Sequence, residues 1–193
     1  WPSFNRKLES FADIEPFMKS TRIQNYVFQN QGEYKFADVS EDWGFNFSGY
    51  SNGMAYGDLD NDGDLDLVVN NFNDPASVYR NTISDRKVGH YLLVDLQGPE
   101  KNRNGLGTKL KLKTEKGEQF QEFWVSRGFE SSCDQRVHFG IVEGDYIEKL
   151  EVEWPDGKKQ TLEAPDFDQL IQVNYGEAVA MAENKERTQT YFQ

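Results

Sequence analysis

Soft metal ligands are scarce in this chain, which has one cysteine, Cys133, and two histidines, His90 and His138. A single cysteine excludes an internal disulfide, and so few soft donors exclude a closed four-ligand zinc site. Basic residues are outnumbered, 21 against 33 acidic, for a formal net charge of −12. A phosphate backbone or an anionic bilayer would be repelled, so neither nucleic acid nor a membrane surface suits this chain as a partner. No apolar run approaches the roughly 20 residues that span a bilayer, and no secretory leader is visible at Trp1, which reads as the start of a processed or excised chain.

What is present is apolar and aromatic: 37% hydrophobic residues, with aromatics at 14%. That is enough for a packed core. Residues 1–24 hold no sustained period, apart from one candidate helical turn over Ile14 to Met18, and are expected to be irregular. From Tyr26 onward, short runs rich in Val, Phe, Tyr and Leu are broken by Gly, Asn, Asp and Pro, which is all-β texture. Tyr26-Val27-Phe28-Gln29-Asn30 returns as Ser77-Val78-Tyr79-Arg80-Asn81, a spacing that suits propeller blades, and Thr190 to Gln193 echoes it again as though another unit were to begin. The chain is therefore expected to be part of something longer.

A second set of strands opens with Tyr91-Leu92-Leu93-Val94. In Thr108 to Lys113, Leu and Lys alternate strictly, predicting a strand with one buried and one wet face. Ile147 to Trp154 is read as repeating that alternation, with Pro155-Asp156-Gly157 turning the chain into a partner strand at Lys158 to Leu162 and a last strand at Leu170 to Tyr175. The expected layout is an irregular segment at 1–24, a first β-repeat at 25–87, a second β-module at 88–176, and a linker or start of a further unit at 177–193.

The sharpest feature is Asp58-Leu59-Asp60-Asn61-Asp62-Gly63-Asp64-Leu65-Asp66, with five carboxylates in nine residues. Like charges near 5 Å apart cost from about 1 kcal/mol per pair in water to several at intermediate dielectric, so a folded loop of this kind calls for a cation. Calcium, which takes six to eight oxygen ligands, answers the need. Side-chain ligands are expected at Asp58, Asp60, Asp62 and Asp66. Asp64 would contribute its carbonyl and turn its side chain outward, and Gly63 would supply the sharp turn. An EF-hand is excluded because Val69, in a β-type run, stands where the twelfth-position Glu belongs. With no Lys or Arg between Lys35 and Arg80, no side-chain cation is expected to neutralise the cluster.

Ser51 to Asp58 and Asp66 to Asn70, with Val78-Tyr79-Arg80-Asn81 after them, resemble the FG-GAP or VCBS repeat of calcium-bearing β-propellers. Asn104-Gly105-Leu106-Gly107-Thr108, Gln119, Gly128 to Ser132, His138-Phe139-Gly140 and Trp154-Pro155-Asp156-Gly157, in that order, resemble the ASPIC/UnbV domain. Together they are similar to the cartilage acidic protein-like family and its bacterial relatives. The resemblance implies partial β-propeller blades with a calcium loop, then a sandwich- or barrel-like β-module. It further implies extracellular or cell-surface placement, associated with the outer membrane in a bacterium. It brings no catalytic residues. The Ile141-Val142 pair departs from the family's Leu-Gly after His-Phe-Gly, so a different turn is expected there.

Gly49-Tyr50-Ser51-Asn52-Gly53 satisfies the nucleophile-elbow pattern, yet strand-like Met54-Ala55-Tyr56 follows where a helix is required. Glu151 with Glu153, or Asp166 with Asp168, could serve a glycosidase or lyase, but alternate Glu residues along a strand are ordinarily solvent-facing. His138, between Val137 and Phe139, is read as a satisfied core or edge histidine. The expectation is thus a non-catalytic, calcium-stabilised extracytoplasmic binding or scaffold module for protein or glycan partners. A calcium-dependent polysaccharide-active enzyme and an architectural subunit of a larger surface assembly are the alternatives. Phe45, Phe47, Tyr50, Phe72 and Phe129, beside predicted turns, are candidates either for packing on neighbouring blades or for a partner surface.

Overall fold

The computed structural model describes residues 20–180 as fourteen short strands, one α-helical turn and two 3-10 turns, an all-β chain. The expectations for Ile14 to Met18 and Thr190 to Gln193 lie outside the described residues. Contacts group the chain into two compact units. Among the described residues, one comprises 20–52 together with 70–75; the other comprises 53–69 and 76–180.

The first unit is built from pairs of short strands. β1 (Ile23–Gln24) pairs antiparallel with β4 (Ser48–Gly49), and β2 (Phe28–Asn30) with β3 (Phe36–Asp38). β1 thus falls inside the stretch expected to be irregular. Ser40 ties the second pair: its buried hydroxyl accepts the Val27 N–H at 2.8 Å and donates to Asp38 Oδ1 at 2.6 Å. Two hydrogen bonds from Ser40, side chain first and backbone second, hold the exposed Asp38 carboxyl below its ordinary value. Phe45 is buried, and the Gln24 amide donates to its carbonyl at 2.9 Å. Ile23, Tyr26, Phe28, Tyr34, Phe36, Trp43 and Phe72 are all exposed.

The second unit holds two sheets whose inner faces share one core. The first sheet has the order β10 (Gly117–Glu122), β9 (Lys109–Thr114), β12 (Ile147–Glu153), β13 (Lys159–Glu163). In the second, β8 (His90–Gln97) is flanked by β11 (Val137–Ile141) and β14 (Gln169–Asn174). Leu110 and Leu112 are fully buried, as the Leu/Lys alternation predicts, while Lys111 and Lys113 pair outside with Glu118 and Glu148. They meet Leu92, Val94 and Leu96 of β8, Phe139 of β11 and Val173 of β14, so this is a sandwich. Burying each such side chain stabilises by about 1.5–3 kcal/mol.

Three details differ from the sequence reading. β12 does not alternate throughout: a bulge between Ile147 and Lys149 shifts its register on β9, so the inward residues run Ile147, Leu150, Val152, Trp154. β14 joins β8 in parallel, a pairing that its own apolar pattern does not encode. And the chain does not leave the module at 177, because Ala178 packs on the core and Val179 bridges Lys159. The predicted turn at Pro155-Asp156-Gly157 is present, closed by Trp154 N–H to Lys158 carbonyl at 2.9 Å. Trp154 is 1% exposed, with its indole N–H on Gln160 at 3.0 Å and Tyr175 set edge-on at 5.4 Å.

The same unit carries a further three-stranded sheet, β5 (Ser51–Gly57), β6 (Asp66–Asn71) and β7 (Ser77–Tyr79), taken through residues 53–57, 66–69 and 77–79. The aspartate loop is the connection from β5 to β6.

Candidate metal centre

Two positive-φ positions fold the loop: Asn61 at +60° and Gly63 at +92°. Asn tolerates the left-handed region through its short polar side chain. At Gly63 the constraint is double, because a Cβ would also overlap the Tyr91 ring. The turn folds three carboxylates together, and Asp58, Asp60 and Asp62 each place an oxygen within 4.8 Å of the others. Asp58 is buried, Asp62 half-buried and Asp60 exposed, so the cluster has a closed end and an open one. Asp58 also accepts the N–H groups of Asp62 (3.1 Å) and Gly63 (3.3 Å), binding the loop to its own first residue.

Asp64 and Asp66 stand apart from that trio. Both Asp66 oxygens accept backbone N–H groups, from Leu59 at 3.2 Å and Asn81 at 2.8 Å. Asp64 does not turn outward as expected: it is 5% exposed, with one oxygen on the Ser84 N–H at 3.0 Å and the other, Oδ1, buried without a hydrogen-bond partner. The return of the chain through β7 into α1 (Ile83–Arg86) covers it, which the loop sequence alone does not reveal. Burial pushes the Asp64 carboxyl above its ordinary value; the Ser84 N–H opposes that, and Asp62 and Asp66 reinforce it.

The expectation that no side-chain cation neutralises the cluster is also corrected. Arg80, the first residue after β7, returns along the hairpin to put Nε 2.9 Å from Asp60 and Nη2 3.3 Å from Asp62, while Nη1 meets Asp85 at 3.2 Å. This guanidinium is half exposed, so the pairs are worth little in water, yet they sit on two of the three clustered carboxylates. A second arginine holds the loop through its backbone. Arg136 Nη2 donates to the Asp58 carbonyl at 3.1 Å and Nη1 to the Asn61 side chain at 3.4 Å. His138 Nε2 lies 2.8 Å from the Gly63 carbonyl, which can only accept, so Nε2 carries the hydrogen. The histidine read as satisfied is satisfied by the loop itself.

An all-oxygen donor set with three converging carboxylates and a buried, unpartnered carboxylate oxygen at Asp64 fits a hard divalent cation. Among the described residues no other cluster of His, Cys, Asp or Glu meets that geometry. The elbow-like Ser51 opens strand β5, with no helix after it, and its hydroxyl donates to Asn71 Oδ1 at 2.9 Å and accepts from Asn25 at 2.9 Å. Of the candidate rings, Phe45 is buried, Phe47 and Tyr50 are half-buried, and Phe72 and Phe129 are exposed.

Comparison with known families matches residues 20–69 to the FG-GAP-like repeat and residues 98–180 to the ASPIC and UnbV domain. The chain thus carries an FG-GAP-like repeat, which belongs to β-propeller blades, followed by an ASPIC/UnbV domain. Modules of both kinds are typically extracellular and serve protein interaction. No curated protein matches the chain. None of the described helices is long and apolar enough to cross a membrane.

Proposed function

We propose that this chain is a calcium-stabilised, extracytoplasmic binding or scaffold module, placed outside the cell or at its surface, that engages protein or glycan partners and carries no catalysis of its own. The observation behind the reading is the convergence of Asp58, Asp60 and Asp62 within 4.8 Å on a loop between two strands. These three side chains would hold the ion, with Asp64 and Asp66 behind them. Bound there, calcium would neutralise the clustered carboxylates and hold the connection from β5 to β6 in its folded form. The chain's own part is to bring the carboxylates together and to keep the turn closed from behind.

The test is a thermal melt in calcium and in chelator. Calcium should raise the melting temperature, and Asp62→Ala should abolish that rise. An ion that binds only the folded state adds about 2.7 kcal/mol at 100 times its dissociation constant. Magnesium, smaller and stricter in geometry, should substitute poorly. Identical melting with and without calcium would remove the calcium reading. Labelling of Ser51 by a serine-directed phosphonate would remove the non-catalytic one.

A further inference from the structure

We infer that Arg136 of the ASPIC/UnbV domain is a positioning residue for the cation of the aspartate loop, favouring its binding although it is itself positively charged; the inference rests on the calcium reading above.

The geometry separates two arginines by what they touch. Arg80 bonds the carboxylate oxygens of Asp60 and Asp62, which are the atoms a cation would take. Arg136 bonds no carboxylate of the loop; it takes the Asp58 carbonyl and the Asn61 side chain, fixing the backbone at the start of the turn and the side chain at its bend. Asp134 holds Arg136 in place through contacts from Nε at 3.0 Å and Nη2 at 2.6 Å, and both side chains are largely buried. Asp134 is fixed in turn, its N–H donating to the Tyr56 carbonyl at 3.1 Å and its Cβ close under Gly57. His138 of the same domain holds the Gly63 carbonyl, and Tyr91 of β8 stacks parallel to the His138 ring at 6.3 Å. The carbonyls of Asp58 and Gly63, near the two ends of the ion-binding stretch, are thus pinned by residues more than 70 positions away.

Pinning of this kind lowers the cost of ordering the loop when the ion binds, since mutually repelling carboxylates need not be gathered anew. Coulomb repulsion works against it: a guanidinium near a cation site disfavours the cation. The two effects predict opposite signs on removal of Arg136, so the sign of the change in affinity decides between them.

The experiment is calorimetric titration with calcium chloride of the full chain, of Arg136→Gln, of Arg136→Lys, which keeps the charge but loses the fork, and of Arg80→Gln. The wild type should bind saturably. Both Arg136 variants should bind at least fivefold more weakly, and Arg80→Gln as tightly as wild type or tighter. His138→Phe should weaken binding, and His138→Gln, which keeps a donor near the Nε2 position, should restore most of it. Should Arg136→Gln fail to fold, Arg136→Lys decides alone. Unchanged or tighter binding by the folded Arg136 variants overturns the positioning role and leaves the calcium reading standing. Absence of saturable binding by the wild type overturns the calcium reading, and this inference with it.

Discussion

The two units of this chain use their apolar residues in opposite ways. In the second, Leu92, Leu110, Leu112, Phe139, Leu150 and Trp154 are at or below 1% exposure, enclosed between two sheets. In the first, six aromatics among the described residues, Tyr26, Phe28, Tyr34, Phe36, Trp43 and Phe72, are each more than half exposed, and Phe45 is buried. Composition does not separate the two; strand length and layering do. Strands of five to eight residues stack into two layers that close on a common core, whereas pairs of two or three residues offer no second layer. A propeller blade ordinarily obtains that second layer from the blades beside it. Stability should therefore sit in the sandwich, and the exposed rings of the first unit should tolerate change.

Truncation in the sandwich core tests the larger half of that statement. Trp154→Ala removes the largest fully buried side chain together with its hydrogen bond to Gln160 and its edge-on contact with the Tyr175 ring. It should cost about 3–5 kcal/mol, the range for core Phe and Trp truncations, read from the denaturant midpoint. A cost below about 1 kcal/mol would show that the sandwich is not where stability resides.

The loop comes next. At Gly63 an alanine would have to adopt φ of +92° and share space with the Tyr91 ring. Gly63→Ala should destabilise by about 2–3 kcal/mol, in chelator as well as in calcium, because both obstacles are present without the ion. Loss confined to calcium-containing buffer would mean that the glycine serves ligation alone.

How far these features can be read in the sequence depends on how local their causes are. The buried face of β9 is legible because Leu110 and Leu112 alternate with lysines, and the loop because its carboxylates are sequence neighbours. The bulge in β12 is invisible because nothing in Ile147-Glu148-Lys149 marks one residue as extra; its partner strand decides that. The inward turn of Asp64 is not legible in the loop, because the residues that cover it arrive some 20 positions later, with Ser84. Arg80 lies beyond the loop in sequence, and only the β6–β7 hairpin, which the loop does not encode, carries it back to Asp60. Arg136 and His138 meet the loop across 75 to 78 positions of sequence, a distance at which no periodicity speaks.

In the first unit the largest single effect is expected at a polar residue. Ser40→Ala would strand the Val27 N–H, which its hydroxyl accepts at 2.8 Å in a nearly buried position. A cost of about 1 kcal/mol follows for one lost hydrogen bond. The substitution should also change the acid limb of stability. Asp38 is held below its ordinary value of 3.8 by Ser40, so its contribution is present above that value and is lost as pH falls through the lowered one. Ser40→Ala removes the side-chain bond and keeps the backbone N–H, so that limb should flatten in part, as equilibrium unfolding at pH 2 to 5 can show.

The smallest expected change in stability is at Phe72, where the consequence for function should be greatest. The ring is 65% exposed and lines a shallow cleft of about 600 Å³ with Ile23, Gln24, Asn25, Tyr50 and Asn52. Arg22 lies 5.4 Å over the Tyr50 ring and pairs with Asp74 at 3.2 Å, so charged groups border the same cleft. Truncating a ring this exposed removes little buried area, and Phe72→Ala should shift stability by less than about 0.5 kcal/mol. If these outward rings form the partner surface of the proposed scaffold, the same variant should weaken association with protein or glycan by tenfold or more, as exposed aromatic anchors do at interfaces. Loss of several kcal/mol of stability instead would place Phe72 in a core, and the contrast between an enclosed second unit and an outward-facing first one would fail at the residue where it is most marked.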